Sequence, residues 1–282
     1  MKIKKERIDV LLVERGLFET REKAKRAIMA GLVYSKEMRL DKPGEKVRED
    51  IDLTVKGNVL PYVSRGGLKL EKALKEFNLD VKDKILLDIG SSTGGFTDCA
   101  LQNGAKMSYA VDVGYNQLAW KLRQDERVVV MERTNFRYMT PTDLANGTPT
   151  FASIDVSFIS LKLILPVLKT LLVPGSDVVA LVKPQFEAGR EQVGKKGIVR
   201  DRSVHISVLE EIIAFAKNIG FAIVDLSYSP ITGGDGNIEF LLHLRWDAKL
   251  ESEIGEVLML KTPEQVVSEA HLSLKTKKTV EE

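Results

Sequence analysis

Hydrophobic and polar positions divide the chain into a short helical N-terminal stretch and a longer stretch in which strands and helices alternate. Residues 7–33 carry apolar side chains at helical spacing, and Gly16 and Gly31 predict where two short helices end. An apolar run at 32–35 and an alternating run at 51–55 then predict a small β-ribbon. We expect these elements to form a compact α+β module of about 55 residues.

A further helical pattern follows a linker that contains glycine and proline, residues 61–67. Apolar side chains recur at helical spacing over Leu68–Phe77 and leave Lys69 on or near the polar side of the predicted helix. Farther along the chain, short apolar runs alternate with helical stretches, of which 161–172 and 204–219 are the clearest.

Seven short apolar runs predict strands in this second stretch. They are Ile85–Ile89, Ser108–Val113, Arg127–Met131, Phe151–Asp155, Val178–Lys183, Ala222–Tyr228 and Ile238–Arg245. Helices separate most of them, which favours a parallel, doubly wound sheet. The last two runs are joined by a glycine-rich turn, 232–236, and predict an antiparallel pair. The fold class is α/β: a Rossmann-like sheet of seven strands with the last one antiparallel, as in class I methyltransferases, preceded by the α+β module.

These patterns predict four segments along the chain. Residues 1–60 form the N-terminal module, 61–67 the linker, and 68–246 the domain that is built on the sheet. Residues 247–282 are expected to form a tail that is helical only in part, with a short amphipathic stretch at Pro263–Leu272.

Composition narrows the class of protein. The 282 residues are 44% hydrophobic and 29% charged, as in ordinary globular proteins. Cys99 is the only cysteine, so an intrachain disulfide and a thiolate zinc site are excluded, and a reducing compartment is favoured. The basic start of the chain is not followed by an apolar segment, and no apolar run approaches the roughly 18 residues that span a bilayer. We expect a cytoplasmic monomer or weak dimer, without a metal or a membrane partner.

Basic residues are concentrated in the N-terminal module. Residues 1–60 contain 15 Lys and Arg against 11 Asp and Glu, whereas the remainder contains 27 against 29. A small module with this excess favours a polyanionic partner, although a solvated helix face is the alternative. The expected phosphate contacts are Arg7, Arg21, Lys23, Lys25 and Arg26.

The same module resembles the RNA-binding domain of small-subunit ribosomal protein S4. The resemblance is carried by Arg7-Ile8-Asp9, Leu12, Gly16-Leu17, Thr20-Arg21, Ala24, Ile28, Gly31, Val33, Lys42-Pro43 and Asp52. Many of these are core and turn residues, so they indicate the fold more strongly than the ligand. The resemblance implies an RNA partner.

A glycine-rich turn after the first strand predicts a cofactor site. Residues 85–96 read as a strand, a turn and the start of a helix, where glycines allow a close backbone approach and free N–H groups face a ligand. Asp112 ends the second strand, where a carboxylate can accept ribose hydroxyls. The turn resembles motif I of S-adenosylmethionine methyltransferases, which implies S-adenosyl-L-methionine as the cofactor. The candidate binding residues are Asp88, Gly90, Ser91, Ser92, Thr93, Gly94, Gly95, Phe96, Asp112, Asn135, Phe136 and Asp155.

The residues available in the sequence help to distinguish three classes of methyl acceptor. Methylation of cytosine C5 needs a cysteine nucleophile, and Cys99 lies inside a predicted buried helix. Methylation of an exocyclic amine typically uses a proline-containing turn after the fourth strand, but residues 155–158 read Asp-Val-Ser-Phe. Methylation of a ribose hydroxyl needs a group that removes or holds a weakly acidic proton. A lysine among carboxylates can do this, either as a base or as a fixed cation.

Such a set is predicted at one edge of the sheet. Asp155 closes the fourth strand, Lys183 closes the fifth, Glu239 opens the last, and Lys69 comes from the preceding helix. Carboxyl ends of parallel strands are where ligands bind in this type of sheet. A charged Lys183 directly after an apolar run is unfavourable unless it is paired, so a neighbouring carboxylate is expected.

Five motifs are similar to those of the TlyA (haemolysin A) family. They are YVSRGGLKL at 62–70, DIGSSTGGF at 88–96, DVSFIS at 155–160, LVKPQFE at 181–187 and GNIE at 236–239. That family resembles the FtsJ-type rRNA methyltransferases, whose catalytic Lys-Asp-Lys-Glu set falls on Lys69, Asp155, Lys183 and Glu239. The resemblance implies 2′-O-methylation of cytidine in ribosomal RNA or ribosomal subunits, with Lys183 as the main candidate for deprotonating or orienting the hydroxyl.

A second basic segment lies after the fifth strand. The basic loop, Gly189–Arg202, carries Arg190, Lys195, Lys196, Arg200 and Arg202. Together with Arg65 these side chains are expected to contact rRNA phosphates, and a merely solvated loop is the alternative.

Two other functions compete with the enzyme: a membrane-lytic haemolysin, as the family name suggests, and a non-catalytic RNA-binding or ribosome-assembly factor. Lysis of red cells by lipid-free protein would favour the first, and a lack of S-adenosylmethionine binding would favour the second.

Overall fold

A computed structural model describes residues 4–29, 31–57, 60–234, 236–246 and 258–280. The chain divides into two compact units, with the division between Pro61 and Tyr62. Among the described residues, no helix has both the length and the apolar composition that crossing a membrane requires.

The first unit is a small α+β module, as predicted. Its elements are β1 (Lys5–Arg7), α1 (Ile8–Glu14), α2 (Arg21–Met29), β2 (Val33–Ser35), β3 (Met38–Arg39), β4 (Lys46–Arg48) and β5 (Thr54–Val55). β1 pairs with β4, and β2 lies between β3 and β5, all antiparallel. The glycines that follow the helices, Gly16 and Gly31, have φ of 69° and 72°, a conformation that favours glycine. Ile8, Leu12 and Ile28 are the largest of the fully buried side chains in its core.

The second unit is built on a seven-stranded sheet. Its strands are β6 (Ile85–Ile89), β7 (Met107–Val111), β8 (Val128–Met131), β9 (Phe151–Ile154), β10 (Ser176–Val182), β11 (Phe221–Tyr228) and β12 (Phe240–Trp246). Their order is β11-β12-β10-β9-β6-β7-β8, and β12 is antiparallel to both neighbours while the other pairs are parallel. The predicted α/β fold and the position of the antiparallel strand are confirmed.

Helices cover both faces of this sheet. They are α3 (Gly66–Glu76), α4 (Gly95–Gln102), α5 (Trp120–Arg123), α6 (Leu165–Leu171), α7 (Pro184–Glu187), α8 (Arg202–Asn218) and α9 (Pro263–Val280). Successive strand side chains alternate between the faces, so Leu86 packs with the helices α3 and α4 and Leu87 packs with α6 and α8. The predicted helix at 161–172 is split into a 3₁₀ turn, Leu161–Leu163, and α6, which has a proline in its first turn.

Two segments are packed more tightly than their sequence suggested. In the predicted linker, the Tyr62 ring lies against Gly67, and the Val63 N–H donates to the buried carboxylate of Asp98 at 2.8 Å. α9 extends beyond its predicted end and buries Val266 and Val267 in the core of the sheet unit. Residues 247–257, the start of the predicted tail, lie outside the described residues.

Candidate active site

The carboxyl edge of the sheet gathers four charged side chains. Asp155 follows β9 and Lys183 follows β10, and the two strands are parallel neighbours, so both strands end at the same edge. Glu239 immediately precedes β12, which is antiparallel and therefore begins at that edge. Lys69 lies in the first turn of α3. The sequence placed Lys69 on or near the polar side of the helix, but its side chain is buried. The reason is that this part of α3 faces the carboxylates of Asp155 and Glu239.

These four residues, hereafter the tetrad, form a chain of alternating charges. Lys69 Nζ lies 2.8 Å from Glu239 Oε2 and 3.3 Å from Asp155 Oδ2. Lys183 Nζ lies 2.6 Å from Asp155 Oδ1. The Asp155 carboxylate therefore bridges two ammonium groups. The side chains are 9% exposed at both lysines, 20% at Asp155 and 3% at Glu239, so the charges are held largely out of water.

The electrostatics keep Lys69 and Asp155 ionised. Burial alone would lower the pKa of Lys69, but Asp155 and Glu239 outweigh it and raise that pKa above its ordinary value. Burial would raise the pKa of Asp155, but the two lysines outweigh it and lower the pKa below its ordinary value. The raised pKa favours the protonated form of Lys69, which agrees with the fixed-cation alternative for this lysine.

Two further side chains bind the tetrad and a third lies at the rim of its cavity, and all three were missed as individual site residues. Lys183 Nζ donates to Ser157 Oγ at 3.1 Å, and Gln185 Nε2 donates to Glu239 Oε1 at 3.4 Å. Phe158 is 90% exposed at the rim and has a φ of 63°, which is unusual outside glycine. All three belong to motifs that also contain a tetrad residue, so sequence adjacency was the available signal.

Two adjoining cavities of about 460 Å³ each open at this edge. The first contains the tetrad, and the second extends toward the end of β7. The two cavities share the lining residues Gly90, Ser92, Asp155, Ser157 and Phe158. A ligand that occupies the second cavity can therefore present a group to the first.

The glycine turn shapes the wall between the cavities. Gly90 has a φ of 82°, and a Cβ there would lie 2.5 Å from the backbone oxygen of Asp155. Gly94 has a φ of 95° and faces Leu118 and Leu122, so its part is to form the turn. The candidates that line the first cavity are Asp88, Gly90, Ser91, Ser92, Thr93, Gly95, Phe96 and Asp155.

Asp88, at the end of β6, anchors the glycine turn through hydrogen bonds to the two elements beside it, α4 and β9. Its carboxylate accepts from Thr97 N–H at 3.0 Å, from the Thr97 hydroxyl at 2.7 Å and from Ser153 Oγ at 2.9 Å. Burial raises the pKa of Asp88 to about 6, against the opposing effect of these hydrogen bonds. The residue therefore fixes the start of α4 relative to β6 and β9.

The remaining cofactor candidates lie around the second cavity. Asp112 accepts from Ser92 N–H at 2.8 Å and from Gly114 N–H at 2.7 Å, which orients its carboxylate at the cavity wall. Asn135 and Phe136 also line it, and Phe136 is only 4% exposed because it packs into the sheet core as well. These positions fit a nucleoside whose ribose reaches Asp112.

Replacing Gly90 by alanine is expected to weaken S-adenosylmethionine binding and methyl transfer together. A Cβ would displace the backbone of Asp155, and the positive φ adds about 1–3 kcal/mol of strain. Gly175→Ala is the matched control, since Gly175 has a φ of 86° and a Cβ added there would meet nothing within 4 Å. Calorimetric titration with the cofactor measures the effect. Equal affinities for the two variants would show that contact at Gly90 is unimportant.

The RNA candidates of the N-terminal unit are divided between a structural pair and an exposed face. Arg7 and Arg21 both bind the fully buried carboxylate of Asp9, at 2.9 Å each. These arginines hold the pKa of Asp9 at about 2, although burial opposes them. Lys23 pairs with an acid one turn earlier, Lys25 with one three residues earlier, and Arg26 is exposed.

The RNA candidates of the sheet unit fall into two groups. Arg65 lines the tetrad cavity. In the basic loop, Lys195, Lys196 and Arg200 line a separate cavity of about 390 Å³. Arg190 begins a 3₁₀ turn and Arg202 begins α8, and both are exposed.

Comparisons with known proteins agree with this architecture. Residues 62–246 match the FtsJ-like methyltransferase family, and residues 6–50 match the S4 domain. YqxC of Bacillus subtilis strain 168, provisionally named an rRNA methyltransferase, is 74% identical over 99% of this chain and 98% of its own. TlyA of Mycobacterium tuberculosis, named a 16S/23S rRNA (cytidine-2′-O)-methyltransferase, is 42% identical over 85% of this chain and 89% of its own.

A solved structure from Streptococcus thermophilus, provisionally described as a hemolysin, is 58% identical with a TM-score of 0.76, and covers 98% of this chain and 99% of its own. The sheet, the glycine turn and the matched families define a methyltransferase of the FtsJ-like class with an N-terminal S4 domain. Within that class, the chain belongs to the TlyA (haemolysin A) family.

Proposed function

We propose that this chain transfers the methyl group of S-adenosyl-L-methionine to the 2′-hydroxyl of cytidine in ribosomal RNA. The observation that carries the proposal is the Asp155 carboxylate, which holds two buried ammonium groups beside the glycine turn. The name of the Mycobacterium tuberculosis relative supports the choice of cytidine, and the S4 domain supports an RNA partner. A ribosomal substrate would also place the protein in the cytoplasm.

The residues at the sheet edge fit the cofactor. At Gly90 the backbone of the glycine turn packs against the backbone of Asp155, where a side chain would collide with it. Asp112, just after β7, presents a carboxylate that is oriented by the N–H of Gly114. The lining of the second cavity includes Ile89, Val111 and Ile159, which suits an adenine ring. When bound, S-adenosyl-L-methionine supplies an electrophilic methyl group on its sulfonium.

The tetrad then acts on the ribose. Lys183, held by Asp155 and Ser157, orients the 2′-oxygen toward the methyl group, and Lys69 keeps Asp155 and Glu239 in place as a fixed cation. The oxygen becomes acidic as it accepts the methyl group, so its proton can pass into the same network of amines and carboxylates.

The competing acceptor chemistries have less support. Cys99 is fully buried in α4, and burial raises the pKa of its thiol to about 12, so it is not a ready nucleophile for cytosine C5. The turn after β9 runs Asp155-Val156-Ser157-Phe158 without a proline, unlike the turns that hold exocyclic amines.

The proposal is tested by incubating the protein with labelled S-adenosyl-L-methionine and either ribosomal subunit, each isolated from cells that lack this protein. Label is expected in the rRNA of one or both subunits. The phosphodiester bond that follows the labelled ribose should resist alkaline cleavage, because its 2′-hydroxyl is methylated. An absence of label, together with RNA binding, would favour a non-catalytic assembly factor instead.

The basic loop is proposed to grip rRNA phosphates. The double substitution Lys195→Glu and Lys196→Glu is expected to lower rRNA affinity and to reduce the slope of log affinity against log salt by about 2. Lys82→Glu with Lys106→Glu is the matched control, because it makes the same change in net charge at exposed positions on the opposite edge of the sheet. Filter binding over a salt series measures both. An unchanged slope in the loop variant would contradict the phosphate contacts.

A further inference from the structure

The basic loop is fixed to the body of the sheet unit by one buried asparagine. Asn237 is 2% exposed, and both polar atoms of its side chain bind the loop backbone. Its Oδ1 accepts from Val199 N–H at 2.9 Å, and its Nδ2 donates to the Gly197 carbonyl at 2.9 Å. A single side chain therefore fixes the backbone that directly follows Lys195 and Lys196. The turn that carries these lysines is closed by the bond from Gly194 N–H to the Ile198 carbonyl at 3.1 Å.

The same asparagine fixes the segment that carries Glu239. The carbonyl of Asn237 accepts from Gly233 N–H at 2.9 Å. Gly233 in turn lies against the Glu239 carboxylate, since a Cβ at Gly233 would be 2.7 Å from Glu239 Oε1. Asn237 is two residues before Glu239 in the chain, so a movement of its backbone would move the acid.

The other end of the basic loop leads directly to Lys183. Only α7, Pro184–Glu187, and one further residue separate that lysine from the start of the loop. The loop is thus joined to Lys183 through the backbone and to Glu239 through Asn237. Its far end is also fixed, because the Val199 carbonyl lies 3.2 Å from His205 Nε2 and Asp201 caps α8.

We propose that Asn237 is a positioning residue that couples the grip of the basic loop on RNA to the placement of Glu239. The inference rests on the proposed function, because it concerns the same site and substrate. Phosphate contacts made by the loop stabilise the arrangement in which Glu239 bonds to Lys69. Loss of the two hydrogen bonds from the Asn237 side chain to the loop, hereafter the tie, uncouples the loop from Glu239. Asn237 is buried and does not line the tetrad cavity or the cavity of the basic loop, so we assign it no contact with the RNA or the reacting atoms.

Steady-state methylation with the full-length protein tests the coupling. Asn237→Ala is expected to raise KM for the RNA about 10-fold, because the loop is freed, and to lower kcat at saturating RNA by about 10-fold or more, because Glu239 is misplaced. The affinity for S-adenosyl-L-methionine should stay within about twofold of the wild-type value. Lys195→Ala should raise KM with a much smaller loss of kcat than Asn237→Ala, since it removes one phosphate contact and leaves the other loop contacts and the bonds of Asn237 in place.

Asn237→Asp guards against a folding defect. It keeps the bond from Val199 N–H but replaces the donor to Gly197 with an acceptor, so it should shift KM and kcat in the same directions as Asn237→Ala. If Asn237→Ala fails to fold, this variant carries the test. Asn103→Ala, which removes a side-chain hydrogen bond to the Cys99 carbonyl at the end of α4, is the control for loss of a hydrogen bond from an asparagine side chain to the backbone.

Three outcomes would overturn the coupling. These are a raised KM with kcat within twofold of wild type, a lowered kcat with an unchanged KM, or no change in either. A wild-type protein without methyl transfer would instead overturn the proposed function, and this inference with it.

Discussion

Replacing Asp155 by asparagine should abolish methyl transfer and destabilise the sheet unit by about 3 kcal/mol. The substitution leaves the ammonium groups of Lys69 and Lys183 next to each other without the carboxylate that bridges them. Removing one partner of a buried charge network costs more than the network contributes, because the remaining charges stay out of water. The loss of activity follows from the same event, since neither lysine keeps its orientation.

Denaturant unfolding and methylation of rRNA measure the two effects. Asp177→Asn is the matched control: Asp177 is also a buried acid with basic partners, Lys84 and His243, but it lies at the amino end of β10. That variant should lose stability and keep the kcat of its folded fraction. An active Asp155→Asn protein would show that the bridge is dispensable.

Lys183→Met is expected to lower kcat by about 10²–10⁴-fold and to leave cofactor affinity nearly unchanged. Methionine fills a similar volume but cannot orient the 2′-oxygen or pair with Asp155. Since Lys69 still neutralises the Asp155 carboxylate, the fold should persist.

Single-turnover transfer from a preformed complex of enzyme and cofactor isolates this step from binding. Lys84→Met serves as the control, because Lys84 is a partly buried and paired lysine at the opposite edge of the sheet. A similar loss in both variants would point to a general effect of removing a lysine, and full activity of Lys183→Met would remove this residue from the mechanism.

The fold could be predicted because its signals are local. Strands such as β6 and β10 consist mostly of apolar residues, and the glycine-rich turn before Glu239 marks an antiparallel pair with no helix between its strands. The convergence of Asp155 and Lys183 followed from the rule that parallel strands end at one edge. These inferences need only the order of elements and not their packing.

Contacts between side chains from distant segments could not be predicted in the same way. Lys69 is separated from Glu239 by 170 residues, and helical periodicity assigned it to the polar side because the pattern contains no information about the facing carboxylates. The tie between Asn237 and the basic loop, the support of Lys183 by Ser157 and the full length of α9 also depend on tertiary packing. Sequence spacing predicts a shared edge but not which atoms meet there.

The central claim is that the tetrad prepares a ribose oxygen, and not a base atom, for methyl transfer. Mass spectrometry of nucleosides, released from rRNA after treatment with wild-type protein or Lys183→Met, tests it most directly. We predict 2′-O-methylcytidine with the wild-type protein and none above background with the variant. A methyl group on a base, or equal 2′-O-methylation by both proteins, would contradict the claim.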